Sequence, residues 1–164
     1  TGDRGLRMRD LDHDGACEVI VSNSETNKLL RWEDHNRRCA ALPFGLPPTT
    51  TIVDRSGSDA GLRFVDVNND QRDDIIFANA ERYSLHLFES IERGWRTIMD
   101  ERRGGSGDES QTVIPMIVRP DGTNNGVWFH SGTMWVQNED TNRLPDLVDR
   151  LSFEAMLNLS LIHI

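Results

Sequence analysis

Cysteine is nearly absent: Cys17 and Cys39 are the only two in 164 residues, and no C-x-x-C spacing occurs. That count excludes a disulfide scaffold and leaves either one Cys17–Cys39 bridge or two buried free thiols. Long apolar runs are missing as well. No window approaches the roughly 18 residues of a membrane-spanning helix, and the opening "TGDRGLRMRD" has neither an initiator Met nor the apolar core of a secretion signal. The chain starts in mid-pattern and reads as a piece of a longer one. Positive charge is scarce: 18 Lys and Arg stand against 27 Asp and Glu, a net charge of −9. A phosphate backbone rewards clustered cations, so nucleic acid is a poor partner, whereas metal cations are compatible ones. No G-x-S-x-G, P-loop, G-x-G-x-x-G, H-E-x-x-H or C-x-x-C-H motif is present, which removes the commonest hydrolytic, nucleotide-binding and haem signatures.

What the chain does contain is a repeat. "GLRMRDLDHDGACEVIVSNSETNKLLRWE" (5–33) aligns without a gap on "GLRFVDVNNDQRDDIIFANAERYSLHLFE" (61–89), 56 residues further on. Gly5/Gly61, Arg7/Arg63, Asp10/Asp66, Asp14/Asp70, Ile20/Ile76, Asn23/Asn79 and Leu29/Leu85 are identical, and Val19/Ile75 and Trp32/Phe88 are similar. A worn third copy is expected at "RPDGTNNGVWFHS", with Asp121 lying 55 residues after Asp66. In each unit an approach strand ("LRMRD", "LRFVD") leads through a tight loop into a β-branched run ("EVIVSN", "DIIFAN") that suits burial on both faces. A turn and a third strand follow ("KLLRWE", "SLHLFE"), and "GWRTIMDERR" supplies a fourth in the second unit. Repeated four-stranded units predict an all-β fold, an incomplete β-propeller of about three four-stranded blades. The blades are expected at 1–57, 58–117 and 118–157. "DERRGGSGDESQ" (100–111) reads as an exposed linker, and "PDLVDRLSFEAML" as either a helix with Leu147, Val148, Leu151 and Ala155 on one face or a last outer strand.

The loops between the first and second strands carry the chemistry. Counting Asp10 as position 1, carboxylates fall at positions 1, 3, 5 and 9 (Asp10, Asp12, Asp14, Glu18), with Gly15 at position 6 and the Ala16 carbonyl available at position 7. Alternate side chains in a tight loop converge, and calcium takes six to eight oxygens at irregular geometry, roughly 2.3–2.6 Å away. Loop two repeats the set as Asp66, Asn68, Asp70 and Asp74, with Arg72 in the carbonyl slot. It has one carboxylate fewer and Gln71 in place of the glycine, so weaker binding is expected. A helical EF-hand loop would need an acid at position 12, where Val21 and Phe77 stand inside apolar runs. Loop three would offer only Asp121, Thr123 and Asn125, with Gly126 at position 6 and Phe129 at position 9, too little charge for a divalent ion.

"DLDHDGACEVIV" and "DVNNDQRDDIIF" resemble the FG-GAP/VCBS repeats of calcium-binding β-propellers found in integrin α-subunit heads and secreted bacterial proteins. The resemblance covers 5–89 well. It implies structural calcium held by Asp10, Asp12, Asp14 and Glu18, and by Asp66, Asn68, Asp70 and Asp74, in a non-catalytic scaffold or interaction module of an exported bacterial protein. Its partners would be other blades of the same full-length protein, or a protein or glycan ligand. A narrower resemblance, carried by "FVDVNNDQRDDIIFANAERYSLHLFE", "IPMIVR" and "GTNNGVWFH", is to exported planctomycete-type membrane-bound dehydrogenase or c-type haem proteins. Any redox centre would then lie outside this chain. The tail, 158–164 and above all "LSLIHI", resembles translated adapter sequence. His130 beside Ser131, with Asp146 and Asp149 downstream, lacks a nucleophile context and reads as a hydrogen-bonded strand histidine. Trp32, Trp95, Trp128 and Trp135, one per strand, read as core rather than as a sugar-stacking platform.

Overall fold

The computed structural model describes residues 2–104 and 113–159. It is all-β apart from one short α-helix and one 3-10 turn. Sheet one has the order β1 (Leu6–Arg9), β2 (Glu18–Ser22), β3 (Asn27–Glu33), β4 (Arg38–Ala41). Sheet two repeats it with β5 (Leu62–Val65), β6 (Asp74–Ala78), β7 (Arg82–Ser90) and β8 (Gly94–Arg102). Sheet three has three strands, β9 (Val127–His130), β10 (Thr133–Val136) and β11 (Asp149–Ser152), followed by α1 (Phe153–Leu159). All pairings are antiparallel.

The same local devices shape all three sheets. Gly5, Gly61 and Gly126 have φ of 72°, 97° and 72°. Their carbonyls accept the N–H of Ser22, Ala78 and Gln137 at 2.9–3.0 Å, and a Cβ on Gly61 would stand 2.5 Å from the Ala78 carbonyl oxygen. Only glycine fits that approach. Asn23, Asn79 and Asn138 end the second strands, and each side-chain oxygen accepts two backbone N–H groups of the following turn (Glu25 and Thr26, Glu81 and Arg82, Asp140 and Thr141). Such Asx turns free the chain to reverse direction. Ahead of each glycine, Asp3, Asp59 and Asn124 accept its N–H at 2.8–2.9 Å.

Sheet two lies between the other two. Ile75 and Phe77 on β6 pack with Leu11, Ile20 and Leu29 of sheet one, while Ile76 and Ala78 pack with Met134, Val136 and Met156 beyond sheet three's inner face. Alternation along a single strand thus feeds two cores, and all five residues of β6 are buried, as its continuous apolar run predicts. β2 has the same run, but Val19 and Val21 are only half-buried, because no element of the described structure covers that side of sheet one. Leu6, Met8 and Trp32, on the same side by register, are 55%, 63% and 50% exposed.

Several expectations are corrected. The third unit is offset by 65 residues from the second, not 55: Val118 and Asn124 bridge as Val53 and Asp59 do, ahead of the first strand. The Asp121 turn therefore precedes β9, and the acidic loop's place is taken by the two-residue turn Ser131-Gly132. The third sheet has three strands among the described residues, not four. The segment 145–157 is neither wholly helix nor wholly strand. It passes from β11 into α1, and Leu147, Val148 and Leu151 lie outside the helix, with Leu147 at φ 59° and half exposed. β8 continues to Arg102, so the linker's first residues are strand, and Asp100 is paired with Arg82 at 2.5 Å. The rest of that linker, 105–111, and tail residues 160–164 lie outside the described residues. Cys17 and Cys39 are free, and both are exposed rather than bridged or buried. Of the tryptophans, Trp95 is packed against Phe44, Phe64 and Phe88, but Trp128 and Trp135 stack on each other at 6.1 Å on sheet three's outer face. His130 ends β9 exposed, and Asp146 is engaged with Arg150.

Candidate metal centre

Both acidic loops fold alike. In loop one Asp10 accepts the N–H of Asp14 and Gly15 (3.0 and 2.9 Å), and in loop two Asp66 accepts those of Asp70 and Gln71 (3.1 and 2.9 Å). The fourth and sixth positions take the left-handed conformation in both: His13 and Gly15 at φ 56° and 92°, Asn69 and Gln71 at 61° and 66°. Asp14 and Asp70 each accept the N–H two residues on, at Ala16 and Arg72. The loops lie side by side, for Asp73 N–H donates to the Leu11 carbonyl at 3.3 Å.

They part at the ninth position. Glu18 and Asp74 are both 0% exposed, and each accepts the N–H of the second loop residue, Leu11 (3.0 Å) or Val67 (2.9 Å). Asp74 is one methylene shorter, and its other oxygen accepts the Phe88 N–H at 2.8 Å, so both of its oxygens are engaged by backbone. Burial pushes its pKa up to about 6, against the pull of those two N–H groups. Glu18 reaches further: its Oε1 is buried without a hydrogen-bond partner, and so is Asp12 Oδ1. Burial raises the Glu18 pKa, opposed by the Leu11 N–H, with the Asp12 charge adding to the rise and Arg31 opposing it. Carboxylate oxygens of Asp10, Asp12 and Glu18 lie within 4.8 Å of one another. Two buried oxygens without donors, held beside a third carboxylate, form a donor set that suits a hard, oxygen-seeking cation.

Loop two forms no such group among the described residues. Asn68 donates to Asp70 at 3.0 Å, and Arg72 turns away to the Glu89 carbonyl at 2.7 Å. Asp14 of loop one, though part of the expected set, is paired with Arg31. Arg31 itself, on β3, was not legible as part of the site, because its equivalent in the second unit is Leu87 and repeat comparison favours shared residues.

The model of the FG-GAP-like repeat matches residues 10–77, from the first acidic loop through β6. That stretch of the chain is similar to FG-GAP-like repeats. Among curated proteins the chain is similar to cartilage acidic protein 1 of Homo sapiens and of Mus musculus, each 26% identical over 107 residues and covering 59% of the chain. The chain spans 16% and 17% of the length of those two relatives. No solved structure matches it significantly.

Proposed function

We propose that this chain is three consecutive blades of a β-propeller, in which loop one, and more weakly loop two, holds calcium as a structural ion, and that the propeller is a non-catalytic scaffold or interaction module of an exported protein. One observation carries the metal reading: Glu18 Oε1 and Asp12 Oδ1 are buried without donors next to Asp10. A buried carboxylate oxygen left unpaired costs several kcal/mol, and an ion bonded to it removes that cost. The Asp14 carboxylate and the Ala16 carbonyl would complete the set. In loop two the remaining candidates are Asp66, Asn68, Asp70, Asp74 and the Arg72 carbonyl. The ion would supply charge neutralisation only, pinning the hairpin between β1 and β2.

The propeller reading is supported by how the units stack. Leu62, Phe64, Ile75, Phe77 and Phe88 of sheet two bury themselves against sheet one. Their counterparts in sheet one, Leu6, Met8, Val19, Val21 and Trp32, present the same kind of face, and nothing among the described residues lies over it. A further unit of the same kind, in a longer chain, is the partner that face fits.

Thermal melts with and without millimolar calcium test the ion. The melting temperature should rise with calcium, not with equal magnesium, and Asp12→Ala should remove most of the rise. A melt indifferent to calcium in the wild-type chain ends the proposal.

A further inference from the structure

Arg31 projects from β3, outside the acidic loop, yet its guanidinium meets three of the loop's four carboxylates. It is hydrogen-bonded to Asp14, with Nη1 3.5 Å from Asp12 and Nε 3.8 Å from Glu18. Only the Asp14 contact is a hydrogen bond. Asp12 and Glu18 feel the guanidinium's charge but retain an oxygen without a donor. Its side chain is 27% exposed, so it has a route to water.

We propose that Arg31 is a tethered counter-cation: it occupies the edge of loop one when no ion is bound, holding the carboxylates together, and a divalent ion must displace it to bind. This rests on the calcium reading above. A guanidinium beside a bound dication would be repelled by it, and the carboxylates that Arg31 neutralises are among those the ion would need. The internal repeat supports the pairing of roles. Loop one has four carboxylates and an arginine at position 31, whereas loop two has three, the buried one satisfied by backbone, and Leu87 in the arginine's place. Clustered carboxylates without an ion repel one another, and a local cation answers that where it is needed.

The consequence is a site whose affinity is set below what its oxygens could achieve, with an ion-free state that stays ordered. The test is calcium titration by calorimetry, at low salt after chelator treatment, of the full chain and of Arg31→Leu, which installs the residue of the second unit. Arg31→Gln keeps a stem and donors without the charge and serves should the leucine variant fold poorly. The expected result is calcium binding tightened about tenfold or more in either variant, together with a lower melting temperature without calcium that recovers when calcium is added. Unchanged or weaker calcium affinity in both variants overturns the role of Arg31 and leaves the calcium site standing. No calcium binding in wild type or variants overturns both.

Discussion

Sheets one and two are built on one 29-residue pattern and differ in what lies against them and in a few side chains. Sheet two is covered on both faces, and its second strand is buried at every position. Sheet one is covered on one face, and the same strand alternates buried and half-buried. In the loops, one methylene separates Glu18 from Asp74, and that length decides whether the buried carboxylate ends among backbone N–H groups or reaches the neighbouring acids. Similar local sequence therefore gives the same backbone but different burial and different carboxylate partners, because burial and reach are settled by neighbours.

The largest expected effect probes the faces. Ile75→Ala, at a position with 0% exposure, should cost about 3–4 kcal/mol, while Val19→Ala at the equivalent half-buried position should cost about 1 kcal/mol. Denaturant unfolding of both variants checks this. A longer chain in which a preceding unit covers sheet one should bring the second value close to the first.

A smaller effect separates the sheets by pH. His86 takes the place of Leu30 and is 1% exposed, its ring nitrogens bonded to Ser84 and Thr97 hydroxyls at 2.8 and 3.0 Å. Burial pulls its pKa down to about 4, with Asp100 opposing and Arg82 adding to the fall. An unfolded histidine titrates near 6.5, so between those values the unfolded chain binds a proton that the folded chain refuses. Stability from this group is complete above about pH 6.5 and is lost as pH falls towards 4, by on the order of 2–3 kcal/mol. In chelator, His86→Leu should flatten the acid side of the stability curve relative to wild type. A parallel curve would refute the assignment.

The smallest concerns the loops' shared backbone. Gln71 sits at φ 66° where loop one has Gly15 at 92°. Gln71→Gly should raise stability by about 0.5–1 kcal/mol, and Gly15→Gln should lower it by a similar amount. Equal and opposite shifts in the chemical-denaturation midpoint would show that the two loops share one conformation in solution.

Much of this was readable in the residues. The offset of 56, the strand runs and the placing of the acidic loops between first and second strands all follow from side-chain period and turn chemistry, which are local. Sequence alone puts the third unit ten residues out of register, because Asp121 resembles a loop acid, whereas its marks are Gly126, whose carbonyl accepts the Gln137 N–H, and Asn138, whose side-chain amide donates to the Asn125 carbonyl across the hairpin. Arg31 and the buried Ser84–His86–Thr97 group were invisible for the same reason: nothing in the neighbouring sequence says which side chains meet across strands.

By itself, then, the amino-acid order determined the repeat, its all-β character and which residues could serve as oxygen donors, since periodicity and loop chemistry act within a few residues. Only the tertiary structure decided that Glu18 keeps a free buried oxygen while Asp74 does not, that Arg31 stands against the first loop, and that, among the described residues, sheet two is enclosed while sheet one offers an open face. Those outcomes depend on distances between segments that approach one another only when the sheets stack.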